Sequence, residues 1–355
     1  MFKLEKNYYI AETAFHHEGD VTFLKELVGH LLKLDIQAIK FHLLFDVDDY
    51  MVKGHSAIDV IRRISISEKN WEDIFEQVLE GGKDIVALTN DVSSLKYINS
   101  IQNERNIAAI ELHSTGLNDL FLLQEACNFK KTVILGIGGS TFDEIQFAVD
   151  YLKNNGKSDI LLMHGFQNYP TSYEDINFSR INLMREAFNL PIGYADHTDP
   201  LDDLNAIVST FPLSYGVRVF EKHVTHVYGE KRIDAQAAVS IKKMEEIIAL
   251  GNSLLKTIGE STLQFSIAEL NYGNTGPMKK ALVARHKINK GKHIRLEDLA
   301  YKRTEISSMI RQNDIFKIID GVAKRDIEVD ELITYDNVEY QFKSANFDQF
   351  FINKD

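Results

Sequence analysis

The sequence reads PIGYADHT at residues 191–198 and VRVFEKHVT at residues 217–225, two short apolar runs that each end in polar side chains. Runs of this length and composition predict buried strands. Six similar runs precede them, and amphipathic segments of helical spacing lie between neighbouring runs. The eight predicted strands cover residues 8–13, 38–43, 84–90, 108–114, 132–138, 159–165, 191–198 and 217–225. Eight successive strand–helix units predict an α/β protein with a closed (β/α)8 TIM barrel.

The pattern changes after Gly259, where the barrel domain, residues 1–259, is predicted to end. Residues 260–279 are polar and contain Gly273, Gly276 and Pro277, which predicts a linker. Two short strand-like runs follow, each with a charged turn, so residues 280–340 are predicted to form a small β-rich domain. The aromatic segment 341–355 is a C-terminal tail for which the sequence predicts no element.

Composition limits the partners of the protein. The 355 residues carry a formal net charge of -12, which argues against nucleic acid or an anionic membrane as the main partner because both require a positive protein surface. The chain lacks the roughly 18 consecutive apolar residues of a membrane-spanning helix, and its first residues do not have the pattern of an export signal. Cys127 is the single cysteine and lies in an apolar helical pattern, which predicts a packed thiol. We therefore expect a cytoplasmic protein.

Polar residues concentrate near the C-terminal ends of the predicted strands, which is where TIM-barrel enzymes place their chemistry. They are Glu12, His42, Asn90, Ser114, His164, His197 and His223. A barrel with a purely structural role has no evident need for this distribution, so the pattern predicts an enzyme.

The last two predicted strands carry a candidate metal site. Residues i and i+2 of a strand point to one side, so Glu221 and His223 are predicted to project together. His197 ends the neighbouring strand and reaches the same mouth of the barrel. Two imidazoles and one carboxylate can form an open site for a divalent cation. The alternative is that both histidines are hydrogen-bonded side chains at the barrel rim.

The second predicted strand carries a lysine in an apolar context. Lys40 and His42 form another i, i+2 pair in AIKFHL, and a buried lysine without a partner would cost several kcal/mol. Glu12, at the end of the first strand, is the expected counter-ion or the acceptor of a substrate hydroxyl. The alternative is a buried ion pair between Lys40 and Glu12 with no part in catalysis.

Two loops at the same end of the barrel are candidate ligand contacts. The loop GIGGST, residues 136–141, leads into a helix and could hold an anion on its backbone N–H groups, although glycines also simply form tight turns. The loop HGFQNYPTSYED, residues 164–175, presents Gln167, Asn168 and Tyr169, which suits a polyhydroxylated ligand; packing is the alternative.

Together these motifs resemble the sialic acid synthase family, bacterial enzymes that condense phosphoenolpyruvate with an N-acylated amino sugar to form nonulosonic acids. The family's opening motif IAEIG-N-H-G-D is similar to IAETAFHHEGD at residues 10–20, and its KFQ strand is similar to KFH at residues 40–42. Its YPTPYED, GYSDHT and EKHFT motifs resemble YPTSYED, GYADHT and EKHVT, at residues 169–175, 193–198 and 221–225. Its C-terminal antifreeze-like (SAF) module resembles residues 281–303 and 321–331.

The resemblance implies a cofactor and a role for individual residues. His197 and His223 would bind a divalent metal ion, Mn²⁺ or Mg²⁺, that activates the sugar aldehyde. The implied catalytic residues are Glu12, Lys40, Glu221 and His223, and the implied substrate-binding residues are His42, Ser114, Gln167, Asn168, Tyr169, Asp196, Asp234 and Arg303. Arg303 would reach the sugar from the antifreeze-like module of a partner subunit, which implies a domain-swapped homodimer. The product would serve a cell-surface polysaccharide.

The chain departs from the family on the side that holds phosphoenolpyruvate. Glu111 stands where the family has a lysine, and Gly136 and Ala195 stand where it has serines. An anion of charge near −3 beside Glu111 would be disfavoured by several kcal/mol unless other groups compensate. Two alternatives therefore stay open beside the phosphoenolpyruvate-dependent synthase. One is a metal-dependent aldolase-type enzyme with a different donor, and the other is a catalytically silent homologue that binds a sugar.

Overall fold

The computed structural model describes residues 5–166, 168–259, 263–272 and 279–339. The chain divides into two compact units, residues 1–259 and residues 260–355. Within the described ranges, no helix combines the length and the apolar character needed to cross a membrane.

The first unit is a closed barrel of eight parallel strands, which confirms the predicted TIM barrel. Each strand pairs with the next along the chain, and the last pairs with the first. The strands are β1 (Tyr8–Glu12), β2 (Ala38–Leu43), β3 (Asp84–Thr89), β4 (Ile107–Leu112), β5 (Thr132–Gly136), β6 (Ile160–His164), β7 (Ile192–Asp196) and β8 (Val219–Thr225). A two-residue strand, β9 (Val239–Ser240), extends the sheet beside β8. All eight predicted strands are present, each within a few residues of its predicted bounds.

Helices connect the strands and cover the outside of the barrel. They are α1 (Val21–Leu31), α2 (Val47–Tyr50), α3 (Ile58–Ile64), α4 (Glu68–Glu80), α5 (Val92–Ile101), α6 (Leu120–Ala126), α7 (Phe142–Asn154), α8 (Tyr173–Ile176), α9 (Ser179–Phe188), α10 (Asn205–Thr210) and α11 (Ile241–Ile258). Short 3₁₀ helices cover Ser114–Gly116, Phe211–Tyr215 and Ala235–Ala237. The start of α1 illustrates the local cause, because the Asp20 carboxylate accepts hydrogen bonds from the backbone N–H groups of Thr22 and Phe23.

Strand alternation separates two layers of side chains. Outward residues such as Tyr9, Ile39 and Phe220 join the large core between the sheet and the helices. Inward residues of the strands form a small apolar plug made of Tyr8, Ile10, Ala38, Val86, Ala109, Ile134, Leu161, Met163, Ala195 and Val219. Later residues of the same parity also point inward, so the charged side chains at the strand ends meet above this plug.

The second unit has a small apolar core of its own and consists mainly of short strands. The strands β10 (Lys280–Ala284) and β11 (Leu299–Arg303) are antiparallel, as are β12 (Val322–Ala323) and β13 (Val338–Glu339). Its core includes Leu282, Ile288, Ile294, Ile318, Ile327 and Ile333. A short helix, α12 (Ile267–Tyr272), lies within the segment predicted as a linker. The glycines and proline that predicted the linker, and the predicted tail 341–355, lie outside the described residues, and the antifreeze-like identity of this unit stays a prediction.

Candidate active site

The ammonium group of Lys40 lies inside the barrel among three carboxylates. Its Nζ atom is 2.8 Å from Glu111 Oε2, 2.9 Å from Glu221 Oε1 and 3.4 Å from Glu12 Oε1. All four side chains are at most 4% exposed. We call these four residues the Lys40 cluster.

The register of the strands explains why residues so distant in sequence meet. Glu12 on β1 lies beside Lys40 on β2, and it also lies beside His223 because the closed barrel pairs β1 with β8. Glu221 lies two residues before His223 on β8, so both side chains point inward. Glu111 lies two residues after the inward-pointing Ala109 on β4 and therefore points inward as well. Closure of the barrel therefore brings both ends of the domain to one site.

A second group beside this cluster could hold a metal ion. Glu12, His197 and His223 each offer one ligand atom, and these atoms all lie within 4.8 Å of one another. His223 Nε2 is 3.0 Å from Glu12 Oε2, and the ring centroids of His197 and His223 are 5.0 Å apart. We call these three residues the metal cluster.

The chemistry of the metal cluster fits a divalent ion. Neither ring nitrogen of His197 has a hydrogen-bond partner among the described residues, although the side chain is buried. Buried polar atoms are normally satisfied, so an imidazole in this state suits a ligand position. Burial, together with the nearby His223, lowers the pKa of His197 to about 3, and the neutral ring is the form that binds metals. The sequence prediction of His197 and His223 as a pair agrees with this geometry, and Glu12 joins them.

Ionisation differs among the four members of the Lys40 cluster. Burial alone would raise the pKa of Glu12, but Lys40 and His223 hold it well below its ordinary value. Burial would likewise lower the pKa of Lys40, but the carboxylates of Glu111, Glu12 and Glu221 raise it well above the ordinary value. Lys40 is therefore an ammonium group at neutral pH, which does not suit attack on a carbonyl carbon.

The other two carboxyl groups shift in the opposite direction. Burial, followed by the charge of Glu12, raises the pKa of Glu221 well above its ordinary value. Burial also raises the pKa of Glu111, against the opposing effect of Lys40. A protonated carboxyl group next to an ionised one supplies both a proton donor and a proton acceptor, as acid–base chemistry requires.

His42 links this centre to a cavity at the barrel mouth. Its Nε2 atom is 2.5 Å from Glu12 Oε1, and its ring centroid is 6.4 Å from that of His113. His113 lines a cavity of about 390 Å³ formed by the loops after β2, β3 and β4, with Asp49, Tyr50, Met51, Val52, His55, Thr89, Asn90, Asp91, Thr115, Gly116, Asp119 and Leu122. We call it the side cavity. Ser114, a predicted substrate contact, begins the 3₁₀ helix whose next two residues, Thr115 and Gly116, line this cavity.

The loop after β6 covers the metal cluster. The ring of Tyr169 lies 5.6 Å from that of His197 and 6.0 Å from that of His223. Asn168 is exposed on the same loop, and its carbonyl accepts a hydrogen bond from the Thr171 hydroxyl. Gln167, also a predicted substrate contact, lies outside the described residues. Tyr169 is thus the member of this loop that the structure places against the site.

Asp196 does not join the other predicted site residues. It shares the outward parity of Tyr194, and its carboxylate lies 2.6 Å from Lys222 Nζ on the outer face of the sheet. The same carboxylate accepts hydrogen bonds from the hydroxyls of Thr198 and Ser209. The resemblance to the sialic acid synthase family implied Asp196 as a substrate contact, but strand alternation turns its side chain to the face opposite that of His197.

Asp234 and Arg303, the last predicted substrate contacts, occupy different parts of the chain. The carboxylate of Asp234 accepts a hydrogen bond from the backbone N–H of Phe15, at 3.4 Å, in the loop that follows β1. Nearby, Arg232 donates to the carbonyl of His16 at 3.2 Å, so the first and last loops of the barrel touch. Arg303 ends β11 in the second unit.

Two residues of the site were not predicted from the sequence. Glu111 was interpreted only as a departure from the family, yet it is the acid nearest to Lys40. His16 was not singled out, although it is buried with its ring 5.9 Å from that of His223. The histidine pair His16 and His17 directly after a strand end was a signal that could have found it, because this is the functional end of a barrel.

Comparisons with known proteins agree with this architecture. The model of the NeuB family matches residues 44–262. An uncharacterized protein from Methanocaldococcus jannaschii is 30% identical over 95% of this chain and 96% of its own length. The N,N'-diacetyllegionaminic acid synthase of Legionella pneumophila is 24% identical over 94% of each chain. Among solved structures, a putative spore coat polysaccharide biosynthesis protein E from Chromobacterium violaceum superposes with a TM-score of 0.77 at 19% identity, covering 94% of this chain and 100% of that one. The chain belongs to the NeuB family.

Proposed function

We propose that this protein is a nonulosonic acid synthase-like enzyme that forms a carbon–carbon bond between a three-carbon donor and the aldehyde carbon of an amino sugar. The observation that carries the proposal is the metal cluster of Glu12, His197 and His223 beside the Lys40 cluster, at the functional end of a NeuB-family barrel. The synthase from Legionella supports the substrate class, since its name describes the formation of a legionaminic acid.

The metal cluster would hold Mn²⁺ or Mg²⁺, which when bound supplies a Lewis acid for a carbonyl oxygen. The chain's own residues then account for binding and proton movement. Lys40, fixed as an ammonium, offers N–H donors to an oxygen of the donor or acceptor. The Glu221 carboxyl group, whose pKa is raised, can give a proton to the oxygen that becomes a hydroxyl. Tyr169 covers the metal cluster and limits the access of water.

The donor distinguishes two candidate functions. Phosphoenolpyruvate is the donor that the resemblance implies, and its use would release phosphate. An aldolase-type reaction with an unphosphorylated donor is the second candidate, and the ion pair between Lys40 and Glu111 favours it because a buried carboxylate there opposes a ligand with several negative charges more than a ligand with one. Both candidates use the same metal cluster and the same aldehyde acceptor.

The wider setting of the reaction follows from the resemblance. We propose a cytoplasmic enzyme whose product enters a surface polysaccharide, and a homodimer in which Arg303 of one subunit reaches the sugar bound by the other. The basic side chain of Arg303, at the end of β11, suits a contact with the carbonyl oxygen of an acyl group.

The proposal is tested by incubating the purified protein with Mn²⁺ and a panel of N-acylated hexosamines, with phosphoenolpyruvate or pyruvate as donor. Mass spectrometry should detect an acid three carbons longer than the sugar, and phosphate release should accompany it only with phosphoenolpyruvate. Absence of product from both donors, with Mn²⁺ binding retained, would refute the proposed function. Sugar binding without turnover would instead support a catalytically silent homologue.

A further inference from the structure

Glu111 occupies the inner wall of the barrel in direct contact with Lys40. The two charged atoms are 2.8 Å apart, and the Glu111 side chain is only 4% exposed. Among the described residues, the ion pairs of Lys40 all run to carboxylates on β1, β4 and β8. Lys40 is therefore already neutralised before any ligand arrives.

The local charges decide which ligand can enter. Three carboxyl groups surround the single ammonium group of the Lys40 cluster, so Lys40 has no uncompensated positive charge to offer an incoming anion. A divalent ion at the adjacent metal cluster would add two positive charges. A ligand with one negative charge is compatible with that balance, whereas a phosphate ester with three would bring its additional charges next to Glu111. Burial strengthens the repulsion between close like charges, because little water is present to screen them.

The side cavity is lined by acidic rather than basic side chains. Among the residues that the structure describes, its lining contains Asp49, Asp91 and Asp119 but neither lysine nor arginine. Besides these carboxylates, the described lining includes the imidazole rings of His55 and His113. Phosphate sites are normally built from arginine, lysine or clustered backbone N–H groups, so this lining does not suit a phosphate.

Gly136 on the neighbouring strand is compatible with the position of Glu111. A Cβ atom at Gly136 would lie 3.4 Å from Glu111 Oε1 and 3.2 Å from the backbone nitrogen of Ser114. A side chain larger than a methyl group would extend from this crowded point and compete with Glu111 for space. The absence of a side chain at Gly136 thus leaves room for the carboxyl group of Glu111.

We propose that this barrel mouth selects a donor with a single negative charge, a 2-oxo acid of the pyruvate class, and excludes phosphate esters, with Glu111 as the specificity-determining residue. The inference rests on the proposed function, because it names the donor of that reaction. Lys40, whose charge is already paired with carboxylates, then serves the ligand only as a hydrogen-bond donor. Recognition of the 2-oxo acid depends on its own carboxylate and carbonyl oxygens alone.

Calorimetric titration of the Mn²⁺-loaded protein tests the proposal. The probes are pyruvate, phosphoenolpyruvate and inorganic phosphate. The variants are Glu111→Gln, which removes the charge with little change of shape, Glu111→Lys, which inverts it, and Glu76→Gln, an exposed control on α4. Thermal unfolding of each variant checks that it is folded. If Glu111→Lys does not fold, the comparison of Glu111→Gln with the wild type tests the proposal by itself.

The wild type and Glu76→Gln should bind pyruvate at least about tenfold more tightly than phosphoenolpyruvate or phosphate. Phosphate affinity should rise at least about tenfold in Glu111→Gln and further in Glu111→Lys. Wild-type protein that binds phosphoenolpyruvate as tightly as pyruvate, or phosphate affinity that is the same in all variants, would overturn the inference while leaving the proposed function intact. Carbon–carbon bond formation from neither donor would count against the proposed function instead, and the phosphate titrations would still decide the role of Glu111.

Discussion

Asp196 Oδ2 and Lys222 Nζ lie 2.6 Å apart on the outer face of two neighbouring strands. Both side chains are at most 3% exposed, so the pair joins β7 to β8 between the sheet and the surrounding helices. Burial alone would raise the pKa of Asp196, but Lys222 and hydrogen bonds from Ser209 and Thr198 lower it to about 2. The pair is a structural bond in the barrel wall, and it has a measurable dependence on pH.

Replacing Asp196 with Asn should destabilise the protein in a pH-dependent way. Because the folded pKa lies below the unfolded value, the stabilisation is complete above the unfolded pKa and is lost as pH falls through the folded pKa. A shift from the ordinary 3.8 to about 2 corresponds to about 2 kcal/mol at pH 7 and about half of that at pH 3. Urea denaturation of both proteins at the two pH values measures the difference. Asp203→Asn, at an exposed position in the segment between β7 and α10, should show neither effect.

Replacing Lys40 with Met should strongly destabilise the barrel. The change leaves the carboxyl groups of Glu12, Glu111 and Glu221 buried together without a cation. Removing one partner of a buried ionic group typically costs about 3–5 kcal/mol. Lys25→Met is the matched control, because Lys25 pairs with Asp73 on the surface, where the cost should stay below about 1 kcal/mol. Denaturant titration at neutral pH compares them, and equal losses would contradict the buried cluster.

Replacing His223 with Ala should abolish tight Mn²⁺ binding and any metal-dependent turnover. The variant removes one of the three ligand atoms that lie within 4.8 Å of one another. Calorimetry or electron paramagnetic resonance of Mn²⁺ measures binding directly, without any assumption about the substrate. His30→Ala, at an exposed position on α1, is the control. Undiminished Mn²⁺ affinity in His223→Ala would disprove the metal cluster.

Mixing two inactive variants tests the shared active site of the proposed homodimer. A His223→Ala chain and an Arg303→Ala chain should together regain up to about a quarter of the wild-type activity, because half of the randomly formed dimers contain one intact site. A mixture of His223→Ala with His197→Ala should regain none, since both residues belong to the same barrel. Equal activity in the two mixtures would show that Arg303 does not act across subunits.

The barrel was predictable from sequence because each strand carries its own local signal. The runs at 191–198 and 217–225 correspond to β7 and β8 within a few residues. The metal pair His197 and His223 followed from the same reasoning, since both lie at strand ends. Local pattern thus sufficed wherever one strand, or one pair of neighbouring strands, determines the position of a side chain.

Contacts across the barrel interior were less predictable. Glu12 was the expected partner of Lys40, yet Glu111 and Glu221 lie closer to its ammonium group. These distances depend on how all eight strands tilt and close, which no single segment encodes. Asp196 shows a different limit, because the family resemblance implied a substrate contact, whereas the parity of the strand places the side chain on the outer face of the sheet.

Pairing of β1 with β8 has a consequence for folding as well as for chemistry. Glu12 belongs to the first strand and His223 to the last, so the metal cluster forms only after the ring is complete. An incomplete barrel, such as a nascent chain that lacks its final strand, therefore has no assembled ion site. Metal uptake would consequently report the moment at which the first and last strands join, and a bound ion would stabilise the closed ring against opening at that seam.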